Sequence, residues 1–210
     1  DNTLQIAEYF DCNVLTIKKE EFTFGRSLNI GCKKAKGEIL VIVSAHCIPL
    51  NNNWLKKLIS PILEDKVVYS YGRQIGDQDT YLSESRIFEK YYPEKSSIPQ
   101  DGFFCNNANS AISREIWNKY LFNEELTGLE DLFLAKKLDV DKLKIGYVAD
   151  ACVYHLHTEN WKQVRRRFER EALALKDIYP EVYLRKRDFI NYFLFAIIHD
   201  LKESIKQKKL

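Results

Sequence analysis

The fold class is decided by residues 38–47, which read EILVIVSAHC. The apolar run over 39–43 is rich in β-branched residues and has no polar alternation, which predicts a strand covered on both faces, as in a parallel sheet. Ser44 and His46 then stand at the carboxyl end of this strand. Ligands of open α/β sheets bind at that end. We therefore expect Ser44 and His46 to lie at a binding site.

Helical and strand patterns alternate on both sides of this strand, which predicts an α/β fold with a mostly parallel sheet flanked by helices. Helical spacing of apolar residues predicts helices, whereas short β-branched or aromatic runs predict strands. The predicted helices are 4–10, 25–35, 53–59, 83–91, 114–120, 129–138 and 161–178. The predicted strands are 13–17, 38–43, 66–71, 108–113 and 147–154.

Composition indicates one globular domain with an appendage. The chain has 210 residues, 45% of them hydrophobic, so it is long enough to bury a full core. Its 32 basic and 30 acidic residues nearly balance, which argues against a general nucleic-acid binder. Residues 161–210 carry 13 basic against 7 acidic residues. We therefore divide the chain into a main domain over 1–160 and a basic, amphipathic helical extension over 161–210.

Cysteine usage favours a reducing compartment. The five cysteines are an odd set, widely spaced and without a CxxC pair, so a disulfide framework is not expected. No apolar run reaches the roughly 18 residues that a spanning helix needs. We expect a cytoplasmic protein.

Four stretches, in this order, resemble glycosyltransferase family 2, the inverting enzymes of GT-A (Rossmann-like) fold. The resemblance is closest to the bacterial rhamnosyltransferase-like group that acts on cell-surface polysaccharide. It implies transfer of a sugar from a nucleotide-diphosphate donor to a saccharide or lipid-linked saccharide acceptor. The stretches are FGRSLNIGCKKAKGEILVIVSAHCIPLNNNWL (24–55), CNNANSAISREIW (105–117), FNEELTGLEDLFLAKKL (122–138) and VYHLHTENWKQVRRRF (153–168).

The histidines are candidate metal ligands. In the family the strand that corresponds to 38–43 ends in Asp-x-Asp, which holds a divalent metal (Mn or Mg) on the donor diphosphate, and here the triplet is Ser44-Ala45-His46. A neutral imidazole suits Mn or Zn and is a poor ligand for Mg. A related family uses Asp-x-His with a distant His, and His155 is such a distant residue, with His157 on the same side by strand alternation. The alternative is that His46 only hydrogen-bonds the diphosphate or a backbone carbonyl.

Glu130 and Asp131 match the Glu-Asp motif of the family at the start of a helix. An inverting transfer needs a carboxylate that takes the proton of the acceptor hydroxyl. Adjacent residues on a helix point about 100° apart, so only one can face the sugar squarely. The family pattern implies Asp131 as the base and Glu130 as its neighbour. Taken without the other motifs, the pair would be read as acidic residues in a favourable first helical turn.

Other polar residues match positions that contact donor or acceptor in the family. Asparagine amides suit sugar hydroxyls, although Asn-rich runs are also common in ordinary turns. Arginines on the 161–178 helix would stabilise the departing diphosphate, or form a solvated basic face. The matching residues are Arg26, Ser44, Arg73, Asn107, Asn109, Gln163 and Arg166.

The apolar segment 189–198 predicts a helix that lies on a membrane surface rather than crossing it. Basic residues flank it, at 185–187 and in the terminal lysines that include Lys208 and Lys209. Alternatively it packs on the domain or forms a dimer contact. The start at Asp1-Asn2-Thr3 resembles the end of the second family motif, so we expect that the first strand or two of the nucleotide-binding half are missing.

Two other functions fit some of these residues. A degenerate member that lost Asp-x-Asp would be a non-catalytic sugar-binding module. A zinc protein would use His46, Cys47, His155 and His157. Cys47 is the weaker candidate, because its side chain would point the other way from that of its neighbour His46.

Overall fold

The structure, a computed structural model, describes residues 2–157 and 159–206. Asp1, Lys208 and Lys209, which the sequence-based predictions used, lie outside these residues. The helices are α1 (Thr3–Tyr9), α2 (Phe24–Lys34), α3 (Trp54–Leu63), α4 (Leu82–Tyr91), α5 (Arg114–Tyr120), α6 (Glu130–Val140), α7 (Trp161–Ile178) and α8 (Lys186–Lys206), with a 3-10 turn over Lys19–Glu21. The strands are β1 (Ile39–Val43), β2 (Cys47–Pro49), β3 (Tyr69–Ile75), β4 (Asn109–Ser113) and β5 (Ile145–His155).

The strands form one mixed sheet in the order β1-β4-β3-β5-β2. β3 and β5 pair in parallel, whereas β1 with β4, β4 with β3 and β2 with β5 pair antiparallel. The α/β class with flanking helices is confirmed, but the prediction of a mostly parallel sheet is corrected. β4 begins beside the end of β1, where Val43 pairs with Asn109, and its second residue, Ser110, pairs with Tyr71 in the middle of β3. The chain therefore re-enters the sheet at the edge where it left it, without the crossover that a parallel pair requires.

The segment 13–17, predicted as a strand, has no regular structure. Its apolar residues Val14 and Leu15 are exposed, and in the described part of the chain no strand pairs with it. Alternation alone does not make a strand, because an isolated extended segment leaves its backbone hydrogen bonds to water. The short strand β2 was in turn missed, since its Pro49 and the following asparagines indicated a turn.

Helices cover both faces of the sheet. On one face α3 buries Leu58 and Ile62 against Ala111 and Val148. On the other face a larger aromatic core packs beneath α2, α5 and α6. It contains Tyr69, Tyr71, Ile112, Trp117, Phe122, Leu134, Leu138 and Tyr147.

The two C-terminal helices differ in how they are attached. α7 buries Ala174 and Ile178, and Lys136 Nζ donates to the carbonyl of Ile178, so α7 packs on the body of the protein. α8 has no buried residue, and its end contacts α4 through an ion pair of Arg86 with Asp200. Over the described ranges, none of the helices has both the length and the apolar run that crossing a bilayer demands. The domain boundary at residue 160 stays a prediction.

Candidate active site

The sheet brings three histidines together. Cys47 of β2 pairs with His155 of β5, so His46, one residue before β2, lies directly beside His155. His46 Nε2 is 2.8 Å from His155 Nε2, and the two rings stack with centroids 4.7 Å apart. His157 follows two residues after His155, with its ring centroid 4.2 Å from that of His155. One potential ligand nitrogen from each histidine lies within 4.8 Å of the others.

Buried hydrogen bonds hold His155 in one tautomer. Gln74, which is 1% exposed, donates through Nε2 to Asn106 Oδ1 at 3.0 Å, so its Oε1 must accept from His155 Nδ1 at 2.6 Å. His155 Nε2 therefore carries a lone pair, and His46 Nε2 donates to it. Burial, followed by the neighbouring His157 and His46, lowers the pKa of His155 to about 3, so this ring is neutral near pH 7. Burial also lowers the pKa of His46.

An ionic network joins the histidines to α4 and α7. Glu84 of α4 hydrogen-bonds His157 Nδ1 and lies 3.8 Å from Arg167. Arg167 Nε donates to Glu159 Oε2 at 2.7 Å. Arg167 rather than the predicted Arg166 thus faces the histidine cluster, because Arg166 lies on the solvent side of α7.

The carboxylates of Glu130 and Asp131 lie in the first turn of α6 and are 7% and 5% exposed. The backbone N–H of Asn107 donates to Asp131 Oδ2 at 2.7 Å, and the Asn107 side-chain amide donates to Glu130 at 3.4 Å. Burial, and then the Glu130 carboxylate, raises the pKa of Asp131, and burial raises the pKa of Glu130. A buried carboxyl whose pKa is raised toward neutrality has the property that a general base needs.

The histidines and the carboxylates belong to one polar network. Gln74 contacts His155 on one side and Asn106 on the other, and the next residue, Asn107, binds Asp131. α7 runs past both groups, since Arg167 lies near the histidines and Arg170, one turn later, near Glu130. These contacts connect the histidines to the carboxylates through Gln74 and the adjacent residues Asn106 and Asn107.

Asn107 and Asn109 use their amides within the protein. Asn107 Oδ1 accepts from Tyr69 and Ser110, which fixes the orientation of its side-chain amide. The amide nitrogen then donates to Glu130, so Asn107 helps to position the carboxylates. Asn109 is 0% exposed, accepts from Trp54 Nε1 and donates to the carbonyls of Arg73 and Ala151. The prediction that Asn109 contacts a sugar is therefore corrected, because its side chain is fully buried and its amide bonds groups of the protein itself.

The remaining predicted residues have mixed placements. Ser44 lies in the turn between β1 and β2, where its N–H donates to the carbonyl of Ala108. Arg73 pairs with Glu94. Arg26 is half-buried in the first turn of α2. Gln163 accepts from the backbone N–H of Asn160 in a capping box, so its side chain starts α7 and is not directed at the histidines.

Sequence reasoning missed two residues that the structure places at the histidines, Glu84 and Arg167. Glu84 carried no signal beyond its position in a predicted helix. Arg167 belongs to the run of three arginines at 165–167. It could be distinguished from the other two only by knowing which face of α7 packs toward the histidines. Cys47 packs with Ala108 and Val153 away from the histidines, which removes it from the zinc ligand set considered above.

A surface pocket of about 280 Å³ lies elsewhere, on the α3 side of the sheet. Its lining includes neither the histidines nor the carboxylates. The lining residues are Lys57, Ser60, Pro61, Glu64, Lys66, Ser96, Ile98, Val148 and Asp150.

Comparison with known proteins gives the family. The model of the glycosyl transferase family 2 matches residues 1–121, which is more than half of the chain. The chain belongs to glycosyl transferase family 2. Within this family it is similar to the O-antigen chain rhamnosyltransferases WbaN of Salmonella anatum, at 27% identity over 179 residues, and RfbN of Salmonella typhimurium, at 22% over 182 residues. Each match covers 80% of this chain and 57% of the relative, so the chain spans little more than half the length of these proteins.

Solved structures confirm the GT-A fold. The mannosyltransferase PcManGT of Pyrobaculum calidifontis, in complex with GDP-Man and Mn²⁺, aligns with a TM-score of 0.67 at 14% identity, over 98% of this chain and 63% of that one. S. aureus TarS, in complex with UDP-GlcNAc, aligns with a TM-score of 0.60 at 18% identity, over 78% of this chain and 48% of that one. At these identities the likeness shows the fold alone.

Proposed function

We propose that this family 2 chain catalyses inverting transfer of a sugar from a nucleotide-diphosphate donor to a hydroxyl of a saccharide or lipid-linked saccharide during cell-surface polysaccharide synthesis. The observation that carries the proposal is the set of hydrogen bonds that runs from His46 and His155 through Gln74 to Asn106, whose neighbour in the chain, Asn107, donates its backbone N–H to Asp131. This arrangement supports a single site in which the histidines serve the diphosphate and Asp131 serves as the base. The names of the curated relatives, which are O-antigen rhamnosyltransferases, support this substrate class.

In this mechanism Asp131 takes the proton of the acceptor hydroxyl while the hydroxyl oxygen attacks the anomeric carbon. The attack comes from the face opposite the diphosphate, so a new glycosidic bond forms as the bond to the diphosphate breaks and the anomeric configuration inverts. The raised pKa of Asp131 makes it a stronger base than an exposed carboxylate. Glu130 contacts donor or acceptor beside it, and Asn107 holds both carboxylates in place.

At the other end, the diphosphate gains negative charge as it departs. His46 and His155 would hold a divalent metal, and three imidazole nitrogens that converge within 4.8 Å fit such an ion. The ion would neutralise charge on the diphosphate, as would Arg167. PcManGT, which has the same fold, was solved with GDP-Man and Mn²⁺, and a metal at this end of the site would be compatible with that complex. Ser44, Arg26, Arg73, Gln163 and Arg166 remain proposed contacts for donor or acceptor.

The anomeric configuration of the product tests the inverting mechanism. The full-length protein is incubated with a panel of nucleoside diphosphate sugars and a saccharide acceptor, and the new linkage is examined by proton NMR. We expect the configuration opposite to that of the donor. Retention of configuration would contradict the role of a single base at Asp131.

We further propose that α8 binds the surface of an anionic membrane from the cytoplasmic side. The residues that support this are exposed and apolar, with basic residues at the start of the helix. The odd number and wide spacing of the cysteines support a reducing compartment. The exposed apolar residues include Phe189, Ile190, Tyr192, Phe193, Leu194, Phe195 and Ile198.

Vesicle cosedimentation tests the role of α8. The double variant Phe189→Glu with Phe193→Glu should bind vesicles that contain phosphatidylglycerol at least about tenfold more weakly, because each buried phenylalanine contributes roughly 1.5–3 kcal/mol. Val140→Glu is the matched control, since Val140 is 67% exposed on α6, and it should bind as the unchanged protein does. Equal binding by both variants, or dimerisation without binding to vesicles, would contradict the membrane role.

A further inference from the structure

We propose that His46, His155 and His157 form a three-histidine centre that binds Zn²⁺ or a similar late first-row divalent ion and does not bind Mg²⁺. The inference deepens the proposed function by assigning a third ligand and a class of metal to the diphosphate end of the site, and the role of the ion rests on that function. The binding of the metal does not rest on the proposed function, because it can be measured without any sugar donor.

Convergence of the rings is the first observation. The candidate ligand atoms of the three histidines lie within 4.8 Å of one another, and the group contains no carboxylate. His46 Nε2 and His155 Nε2 are 2.8 Å apart, a hydrogen-bond distance. Two nitrogens bound to one tetrahedral zinc, with bonds of about 2.0–2.1 Å, lie about 3.4 Å apart. The Nε2 atoms of His46 and His155 therefore need to move apart by about 0.6 Å. The side chain of His46 is exposed and can make this movement.

The second observation concerns the Nδ1 atoms of His155 and His157, which have hydrogen-bond partners outside the three histidines. His155 Nδ1 is bound by Gln74 Oε1 at 2.6 Å, and His157 Nδ1 is bound by Glu84 Oε1. Metal-binding histidines commonly donate their other N–H to a carbonyl or carboxylate, which fixes the ring and leaves the second nitrogen for the metal. Both partners are themselves held, because Gln74 donates to Asn106 and Glu84 lies beside Arg167.

A buried hydrogen-bond network without a metal would need either the convergence of the rings or the hydrogen bonds to their Nδ1 atoms, and not both. It would explain the contact of Gln74 with His155, but it does not require a third histidine, His157, held by Glu84, to converge on His46 and His155. Glu84 is 16% exposed in its side chain, as is His157. The pair of His157 and Glu84 lies against the imidazoles of His46 and His155, and this arrangement favours coordination of a metal ion.

The ligand chemistry selects the ion. Imidazole nitrogen suits Zn²⁺, Co²⁺ and Ni²⁺, whereas Mg²⁺ takes oxygen ligands in an octahedral shell. Three neutral ligands also leave the ion with its full double charge, which a carboxylate ligand would partly cancel. Such a centre would attract a diphosphate strongly.

Metal titration of the full-length protein, after dialysis against a chelator and without nucleotide, tests this centre. We expect one Zn²⁺ per chain by calorimetry, a visible absorption band on addition of Co²⁺, and no heat with Mg²⁺. His157→Ala should remove tight binding. Glu84→Gln should weaken Zn²⁺ binding about 10–100-fold, as loss of an outer partner does.

His199→Ala is the matched control, because His199 is the remaining histidine of the chain, lies on α8 and belongs to no such cluster in the described residues. It should bind Zn²⁺ as the unchanged protein does, and melting temperatures confirm that each variant is folded. Zn²⁺ binding that survives His157→Ala, or Mg²⁺ binding of equal strength, would overturn the centre. Sugar transfer without Zn²⁺ binding would refute the centre and leave the proposed function standing, whereas Zn²⁺ binding without any transfer would support the centre and contradict that function.

Discussion

Asp131→Asn should lower the turnover of sugar transfer by about 10³-fold, while affinity for the donor stays similar. The reason is that an amide cannot take the proton of the acceptor hydroxyl, and a positioned base contributes about 10²–10⁴-fold to such reactions. Steady-state transfer and calorimetric donor binding, measured on the same preparation, separate the two effects. The side-chain amide keeps one acceptor oxygen for the N–H of Asn107 or Leu132, so the variant should remain folded, as its melting temperature will show.

Glu130→Gln is the comparison for this prediction. It should keep more turnover than Asp131→Asn. It should also move the acidic limb of the pH profile to lower pH, because the Glu130 charge is the second cause, after burial, of the raised pKa of Asp131. A base is active when deprotonated, so a lower pKa preserves activity further into acid. A turnover of Asp131→Asn within tenfold of that of the unchanged protein would refute Asp131 as the base. If the unchanged protein binds donor but shows no turnover, the result would favour the non-catalytic sugar-binding module.

Gly72→Ala should lower the free energy of unfolding by about 3 kcal/mol, at the upper end of the usual cost of overpacking. A Cβ at Gly72 would lie 2.1 Å from the carbonyl oxygen of Ala151 and 2.3 Å from Asn109 Nδ2. The first atom belongs to the backbone of β5 and the second to a fully buried side chain, so neither can move cheaply. Thermal unfolding should show a melting temperature lower by about 6–12 °C for a chain of this size.

Gly31→Ala is the matched control for Gly72→Ala. Gly31 lies within α2, and a Cβ there would meet no atom within 4 Å. Alanine costs less backbone entropy in a helix, so this variant should be more stable by about 0.5–1 kcal/mol. A melting temperature for Gly72→Ala equal to that of the unchanged protein would show that the close approach of β3 and β5 is not rigid.

Much of the fold was predictable because local patterns agree with it. The run over 39–43 became β1, and the apolar spacing of 161–178 became α7 with the same bounds. Strand direction was not predictable in this way. Whether β4 runs parallel or antiparallel depends on where the long segment after α4 returns to the sheet, and no residue pattern in that segment records it.

The site was predictable where a motif fixed both the residue and its side of an element. His46 was indicated by the end of a strand, His155 by the resemblance to a family that uses a distant histidine, and His157 by alternation with His155, and the three do meet. Asn109 was wrong because its amide had a second use, in bonding Trp54 and two backbone carbonyls, that only the packing of β3, β4 and β5 reveals. Glu84 was missed because its partner, His157, is 73 residues away along the chain.

A crystal structure of the full-length protein with its nucleoside diphosphate sugar would test the central claim most directly. We predict that the diphosphate lies against His46, His155 and Arg167, directly or through one metal ion, with the anomeric carbon turned toward Asp131. A donor bound instead in the pocket lined by Lys57, Lys66 and Asp150, on the α3 side of the sheet, would contradict the claim that the histidines and carboxylates form one site.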